Sequence, residues 1–169
     1  AEKLVVRESK LGVKETIDRF EAAEAATEDQ YARSHVSYHA SMLRIGLTGT
    51  AGLLVGDEHT APSIGSGKVR VLATPVMINL IEAAALDAVE RLLPAGTQSL
   101  GTHLDVHHIA ATPVGMRVTA VAEVVAVDQR KVSFRVEARD EREVIGHGTH
   151  ERVVVNVAKF DLRVQKKLA

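Results

Sequence analysis

The sequence contains no cysteine and no tryptophan, and only 3% of its 169 residues are aromatic. The absence of cysteine excludes disulfide bonds, thiolate nucleophiles and cysteine metal ligands, and it is typical of a protein of the reducing cytoplasm. So few aromatic side chains argue against a protein that binds nucleic acid by stacking on its bases. No apolar run approaches the ~20 residues of a membrane span, and the N-terminus lacks a signal-peptide pattern. We therefore expect a cytoplasmic protein.

Neither sign of charge dominates the sequence. Its 21 basic and 22 acidic residues give a formal net charge of -1, and the two signs are mixed along the chain. This balance argues against nucleic acid or a membrane surface as the main partner. With 46% hydrophobic and 25% charged residues, the composition is that of a soluble globular protein long enough for one domain.

Residues 1–41 differ in character from the rest of the chain. A short apolar segment precedes an amphipathic helix predicted from about Gly12 to Ala26, and a polar segment follows up to Ser41. The apolar segment could form a short strand, but one strand and one helix of this size cannot form a hydrophobic core by themselves. We interpret them as a poorly ordered or loosely docked extension, with a truncated fusion remnant as the alternative. The main domain is predicted over residues 42–169.

A buried helix is predicted to begin at Thr74-Pro75. Thr is a good N-cap, and Pro at the first helical position loses no hydrogen bond. The helix is expected to continue to about Leu93, and its first three turns are apolar on nearly every side. Before it, we expect a strand within Arg44–Gly56 and a polar loop over Asp57–Lys68.

After this helix the sequence changes to the pattern of β-strands. Four β-rich segments are separated by short turn signals: Ser99–Ala110, Met116–Val127, Lys131–Arg139 and Val144–Val157. Connections this short join antiparallel neighbours. A short final helix is predicted within Lys159–Lys167. The result is an α+β arrangement in which an antiparallel sheet wraps around a long central helix, and its open edges predict a homodimer or a larger homo-oligomer.

Glu82 is the most informative single residue. It lies in the middle of the predicted helix, between Ile81 and Ala83. A carboxylate rarely occupies so apolar a stretch unless it is paired or functional, and such a group suits acid–base catalysis. The alternative is a narrow polar stripe that Glu82 forms with Asn79 and Glu90.

Two residues complete a possible catalytic set with Glu82. His108 alternates with Leu104 and Val106, so it is expected to point towards the helix, where a carboxylate such as Glu82 could orient it as a general base. A core histidine bonded to a backbone group is the alternative. Thr74 stands at the helix N-terminus, where a substrate oxygen would be stabilised, although N-capping alone explains it.

Other polar residues are more ambiguous. Gly101 could let a ligand approach the backbone at the start of its strand and could help to bind an oxyanion, or it could be a simple strand irregularity. Arg152 could bind a phosphate or pantetheine end, or form a salt bridge with a carboxylate across the sheet. The alternating polar residues His103, Asp105 and His107 are assigned to solvent or a subunit contact rather than to a metal.

Three motifs resemble the fluoroacetyl-CoA thioesterase-like family of hotdog-fold acyl-CoA thioesterases. They are Ala73–Ala84, Gly101–Gly115 and Ile145–Arg152, in the order of that family, and the resemblance spans roughly residues 42–166. The glycine loop of phosphate-binding proteins, the Gly-x-Ser-x-Gly elbow and the HExxH zinc motif are all missing from the sequence.

The resemblance implies a hotdog fold and hydrolysis of a short or small acyl-CoA to the free acid and CoA. It implies that the CoA thioester is the substrate and that neither a metal nor an organic cofactor takes part. It assigns catalysis to Thr74, Glu82 and His108, and places Gly101 near the thioester carbonyl and Arg152 near the mouth of the site. Thr74 could be the nucleophile or could orient water; we favour water activation by Glu82 and His108.

One segment departs from the family. The fluoroacetyl-specific enzyme has phenylalanines that form a lid ahead of its catalytic Thr, and Ser63–Arg70 has none. A broader or different short acyl group is therefore expected.

The main alternative function is a non-catalytic acyl-CoA-binding module of the same fold. A hydratase would need a differently placed Asp/His pair, which we do not find, and in a structural oligomerisation domain the catalytic set would be a coincidence.

Overall fold

The computed structural model describes residues 42–168. Its elements in chain order are β1 (Thr48–Leu54), a 3₁₀ turn (Asp57–His59), α1 (Ala61–Ile64), α2 (Thr74–Val89), a second 3₁₀ turn (Glu90–Leu92), β2 (Thr97–His108), β3 (Arg117–Asp128), β4 (Lys131–Arg139), β5 (Val144–Asn156) and α3 (Val157–Gln165). The predicted extension over residues 1–41 lies outside the described residues, so the domain division stays a prediction. Within residues 42–168, no helix is long and apolar enough to cross a membrane.

The strands form one antiparallel sheet of five strands, in the order β1-β3-β4-β5-β2. Short turns join β3 to β4 and β4 to β5, as the turn signals predicted, and β2 returns to pair with β5. In that pairing Gly101 stands opposite Arg152. The two edges of the sheet are β1 and β2, and β2 is the longer of them.

The core lies between α2 and the sheet. Alternate residues of β3 and β4 face the helix and are almost fully buried: Val118, Ala120, Ala122, Val124, Val132, Phe134, Val136 and Ala138. Many are small, which lets the helix lie close to the strands. The helix lies close to β1 at Gly49, where a Cβ atom would overlap the backbone of Ala84 and Ala88. A curled antiparallel sheet around a central helix confirms the predicted α+β hotdog fold.

The start of α2 differs from the prediction. Ala73, not Thr74, is the N-cap residue, and Thr74 is the first residue of the helix. The hydroxyl group of Thr74 bonds to a histidine instead of capping the helix. At the other end, the α-helix itself stops at Val89 and continues as the 3₁₀ turn Glu90–Leu92, so the helical segment ends within one residue of the predicted end near Leu93.

Candidate active site

The start of α2 and the end of β2 bring Thr74 and His108 together. The Oγ1 atom of Thr74 lies 2.8 Å from Nδ1 of His108. His108 is half-buried together with Leu104 and Val106, which confirms its inward orientation. Among residues 42–168, the buried Nε2 atom of His108 has no hydrogen-bond partner. Burial lowers the pKa of His108 and the backbone of Ala110 opposes this effect, so the ring is neutral near pH 7 and able to take up a proton.

Glu82 lies two turns further along α2, beside His150 and Arg152 of β5. Its Oε1 atom is 3.8 Å from an Nη1 nitrogen of Arg152 and 3.9 Å from Nε2 of His150. The Glu82 side chain is 37% exposed, whereas the side chains of His150 and Arg152 are 0% and 5% exposed. The carboxylate is therefore open to solvent on one side and faces a buried arginine on the other.

Gly101 makes room for this carboxylate. A Cβ atom at position 101 would overlap Oε1 of Glu82 and would lie 3.1 Å from the His150 ring. The register of β2 against β5 shifts between Gly101 and His103, so the strand carries a bulge at this point. Gly101 lies inside β2, which begins at Thr97, and not at the start of the strand as predicted. Any side chain here would displace Glu82.

Arg152 is almost fully buried, at 4% exposure. Its Nε atom donates to the Ser99 hydroxyl at 2.9 Å, and Nη2 donates to the Ser99 carbonyl at 2.8 Å. The remaining nitrogen, Nη1, lies 3.3 Å from Nε2 of His150. Of the two roles predicted for Arg152, the structure shows the salt bridge, although the carboxylate partner Glu82 is on the helix rather than across the sheet.

His150 is a site residue that sequence reasoning did not single out. Its Nδ1 atom lies 2.8 Å from the His103 carbonyl oxygen, which can only accept, so Nδ1 carries the proton. Nε2 then presents its lone pair to Arg152. Burial lowers the pKa of His150, and the ring packs 5.9 Å from the ring of Phe134. The sequence held a usable signal: His150 precedes Arg152 by two residues and therefore shares its face of β5.

The predicted catalytic residues fall into two groups in one copy of the chain. Thr74 and Glu82 are eight residues apart on one helix, about 12 Å along its axis. Among the described residues, the charged contacts of Glu82 are with His150 and Arg152, so the predicted pairing of Glu82 with His108 is not made within one copy. We call Thr74 and His108 the hydroxyl–imidazole pair, and Glu82, Gly101, His150 and Arg152 the carboxylate cluster.

The alternating residues His103, Asp105 and His107 lie on the exposed face of β2, as predicted. Within the part of the chain that the structure describes, no group of three or more His, Asp or Glu side chains is placed to hold a metal ion. The candidate active site therefore consists of the hydroxyl–imidazole pair and the carboxylate cluster, and not of these exposed residues.

A hydroxyl–imidazole pair at a helix N-terminus and a partly exposed carboxylate beside a buried arginine are groups that could serve acid–base or acyl-transfer chemistry, and the fold that carries them is a hotdog fold. The family described as FlK, fluoroacetyl-CoA-specific thioesterase, matches residues 55–158. The chain is 45% identical over 97 residues to the fluoroacetyl-CoA thioesterase of Streptantibioticus cattleyicolor, a match that covers 57% of this chain and 70% of that protein. The chain belongs to this thioesterase family, whose members are thioester hydrolases.

Solved structures agree with this assignment. The fold matches the crystallised fluoroacetyl-CoA thioesterase FlK with a TM-score of 0.70 at 37% identity, over 74% of this chain and 97% of that one. A variant of FlK solved in complex with acetyl-CoA matches with a TM-score of 0.70 at 36% identity, over 75% of this chain and all (100%) of that one. The family resemblance read from the sequence is confirmed.

Proposed function

We propose that this chain hydrolyses a short acyl-CoA thioester to the free acid and CoA, and that Thr74, Glu82 and His108 carry the reaction. The observation that supports this most is the position of Glu82: its carboxylate is partly exposed, faces the buried Arg152, and occupies the space that a side chain at Gly101 would fill. Named relatives that act on fluoroacetyl-CoA, and one solved with acetyl-CoA, support a small acyl group.

In the proposed reaction Glu82 accepts a proton from water, and the water oxygen attacks the thioester carbonyl carbon. We assign the resulting oxyanion to the backbone near Gly101, beside Glu82. The C–S bond then breaks, and the CoA sulfur takes up a proton passed on through Glu82 or His108. The reaction consumes only water and the CoA thioester, so we propose no cofactor.

Thr74 is assigned to orienting rather than to attack. Its hydroxyl group lies at hydrogen-bonding distance from Nδ1 of His108, which leaves the unpartnered Nε2 atom as the reactive end of that ring. A threonine that holds an imidazole in one orientation supports water activation, the reaction we favour. On this view Thr74→Ser preserves most of the activity.

We further propose that two copies of the chain complete each site. The edge strand β2 has one free side, and its inward residues Leu104 and Val106 are only half-buried, whereas those of β3 and β4 are almost fully buried. Antiparallel pairing of two β2 strands, with Gly101 opposite the partner subunit's His108, would bring the carboxylate cluster of one copy to the hydroxyl–imidazole pair of the other. A symmetric dimer would then hold two equal sites.

The acyl group and the location also belong to the proposal. Residues 63–70, which match the segment that carries the lid phenylalanines in the fluoroacetyl-specific enzyme, are all exposed here and contain no aromatic side chain. This supports a broader or different short acyl group than fluoroacetyl. The absence of cysteine from all 169 residues supports a cytoplasmic enzyme.

Thiol release from a panel of acyl-CoAs, from acetyl and fluoroacetyl to medium-chain and aromatic, tests the function. We expect turnover with at least one short acyl-CoA, and a loss of roughly 10²–10⁴-fold in kcat for Glu82→Ala. Glu141→Ala, which removes an exposed carboxylate from the turn between β4 and β5, is the matched control and should keep full activity. Binding of acyl-CoA without thiol release from any panel member would instead identify a non-catalytic binding module.

A further inference from the structure

A chain of polar groups, buried at Ser99 and Arg152 and partly buried at Glu90, stands behind Glu82, and the proposed reaction leaves it without a role. It begins at Glu90, at the end of α2, whose Oε2 atom accepts a hydrogen bond from the Ser99 hydroxyl at 2.8 Å. Both carboxylate oxygens of Glu90 also lie 3.3 Å from the backbone N–H of Ser99. Ser99 is 3% exposed and holds Arg152 in turn through its hydroxyl and its carbonyl.

These contacts set where the guanidinium group can go. An arginine free to choose its partner commonly forms two parallel hydrogen bonds of about 2.7–2.9 Å with a carboxylate. Here Nε and Nη2 donate to Ser99 instead, and the Nη1 atom of Arg152 lies 3.8 Å from Oε1 of Glu82. The two bonds to Ser99 fix the plane of the group. The arginine therefore faces Glu82 as a charge without occupying its oxygen.

We propose that Ser99 and Glu90 are positioning residues of the thioester-hydrolysis site, an inference that rests on the proposed function. Ser99 holds the Arg152 guanidinium back from Glu82, and Glu90 fixes Ser99 by accepting its hydroxyl proton. Because the Ser99 hydroxyl donates to Glu90, its oxygen lone pairs are directed to Nε of Arg152. The carboxylate of Glu82 consequently keeps an oxygen free for the attacking water.

Breaking the chain has a specific consequence. Without the Ser99 hydroxyl or its anchor, the bond to Nε is lost or loosened, and only the bond from Nη2 to the Ser99 carbonyl still holds the guanidinium group. The group can then turn about that remaining bond and pair directly with Glu82, which shares its oxygen with Arg152 instead of water. A misplacement of this kind acts on the chemical step, so kcat falls while KM changes little. A purely structural role for the chain would lower stability or the amount of folded enzyme and leave kcat per folded site unchanged.

The test compares kcat and KM for Glu90→Ala, Glu90→Gln and Ser99→Ala in the full chain, on the acyl-CoA that the wild type turns over best. We expect kcat to fall roughly ten-fold or more in Glu90→Ala and Ser99→Ala. Glu90→Gln should recover most of it, because its amide oxygen still accepts from Ser99. If Ser99→Ala does not fold, the Glu90 variants alone decide the test, because Glu90 is only partly buried and its substitution disturbs the core less.

The effect must also depend on Glu82. In a Glu82→Ala background, adding Glu90→Ala should not lower the residual rate further, because the oxygen that Arg152 would occupy is gone. Unchanged kcat in Glu90→Ala, no recovery in Glu90→Gln, or an equal loss in the Glu82→Ala background would overturn the inference. If the wild type itself releases no thiol, the proposed hydrolase function is wrong. If the wild type is active but the variants behave in one of these ways, only the positioning role of Ser99 and Glu90 is wrong. Glu141→Ala again serves as the control.

Discussion

The ring of His150 lies between a carbonyl group and a guanidinium group, and these neighbours define its protonation. The His103 carbonyl requires a proton on Nδ1, and Arg152 approaches the other nitrogen at 3.3 Å. Burial lowers the pKa of His150 most; Arg152 lowers it further, while His103, Glu82 and Glu151 raise it. A second proton on this ring would face a buried arginine. His150 is accordingly neutral in the folded protein.

A neutral buried histidine makes stability depend on pH. Since the pKa of His150 is lower in the folded chain than the usual 6.5, the unfolded chain binds the proton more readily. Its contribution to stability is complete above about pH 6.5 and is lost as the pH falls through the folded-state pKa. The midpoint of urea unfolding, measured between pH 8 and pH 5 at fixed protein concentration, should decrease as the pH is lowered. The decrease should be less steep for His150→Gln than for the wild type.

Some slope should remain in His150→Gln, because burial also lowers the pKa of His108. Parallel curves for the wild type and His150→Gln would contradict this prediction for His150, because they would show that the pKa of His150 is the same in the folded and unfolded chain. Glutamine suits this comparison because its amide can still donate to the His103 carbonyl.

Individual site residues were predictable when their position followed from a local pattern. Alternation along β2 gave the inward direction of His108, and the apolar helix marked Glu82. The hydroxyl bond of Thr74 was not predictable, because its partner is 34 residues away and a local N-cap accounted for the residue equally well. His150 was missed because its spacing from Arg152 shows only that the two residues share a face of β5, whereas its hydrogen bond to the His103 carbonyl joins residues 47 positions apart.

At the scale of secondary-structure elements, α2 packs closely against β1. At Gly49 a Cβ atom would overlap the backbone N–H of Ala88 and the carbonyl of Ala84. Backbone atoms cannot rotate away, so relief of the overlap requires the helix to move off the sheet. The small residues along the facing strands serve the same close packing.

Gly49→Ala should therefore destabilise the fold by about 1–3 kcal/mol, the usual cost of overpacking a core. The matched control is Gly52→Ala in the same strand, where the nearest atom to a Cβ is the Val118 carbonyl at 3.7 Å. That change should stay within about 0.5 kcal/mol. Urea unfolding of both variants measures the difference, and equal midpoints would mean that α2 does not rest on β1 as described.

Elements were predicted better than the contacts between them. Turn signals located all four strands after α2, and β4 spans Lys131–Arg139 as predicted. The tightening of the helical segment after Val89, where Glu90 reaches across to Ser99, was not part of the prediction. The expected pairing of Glu82 with His108 failed within one copy for a geometric reason: the rise of the helix separates Thr74 from Glu82, and His108 lies at the Thr74 end.

At the scale of the whole molecule, one copy holds two incomplete halves of the proposed site. The hydroxyl–imidazole pair lies at one end of α2 and the carboxylate cluster lies further along it. Among residues 42–168, β2 is an edge strand that carries His108 of one half and Gly101 of the other, so we propose that a second copy pairs with this edge. We propose that hydrolysis needs both halves together, the hydroxyl–imidazole pair from one copy and the carboxylate cluster from the other.

Mixing two inactive variants tests this claim most directly. Thr74→Ala and Glu82→Ala are unfolded and refolded together, and thiol release is compared with that of each variant alone. Random pairing makes half of the dimers mixed, and each mixed dimer regains one intact site, so about a quarter of the wild-type activity should return. A mixture of Thr74→Ala and His108→Ala, which damages the same half, should recover nothing. No recovery in the first mixture, with mixed dimers shown to form, would contradict the account.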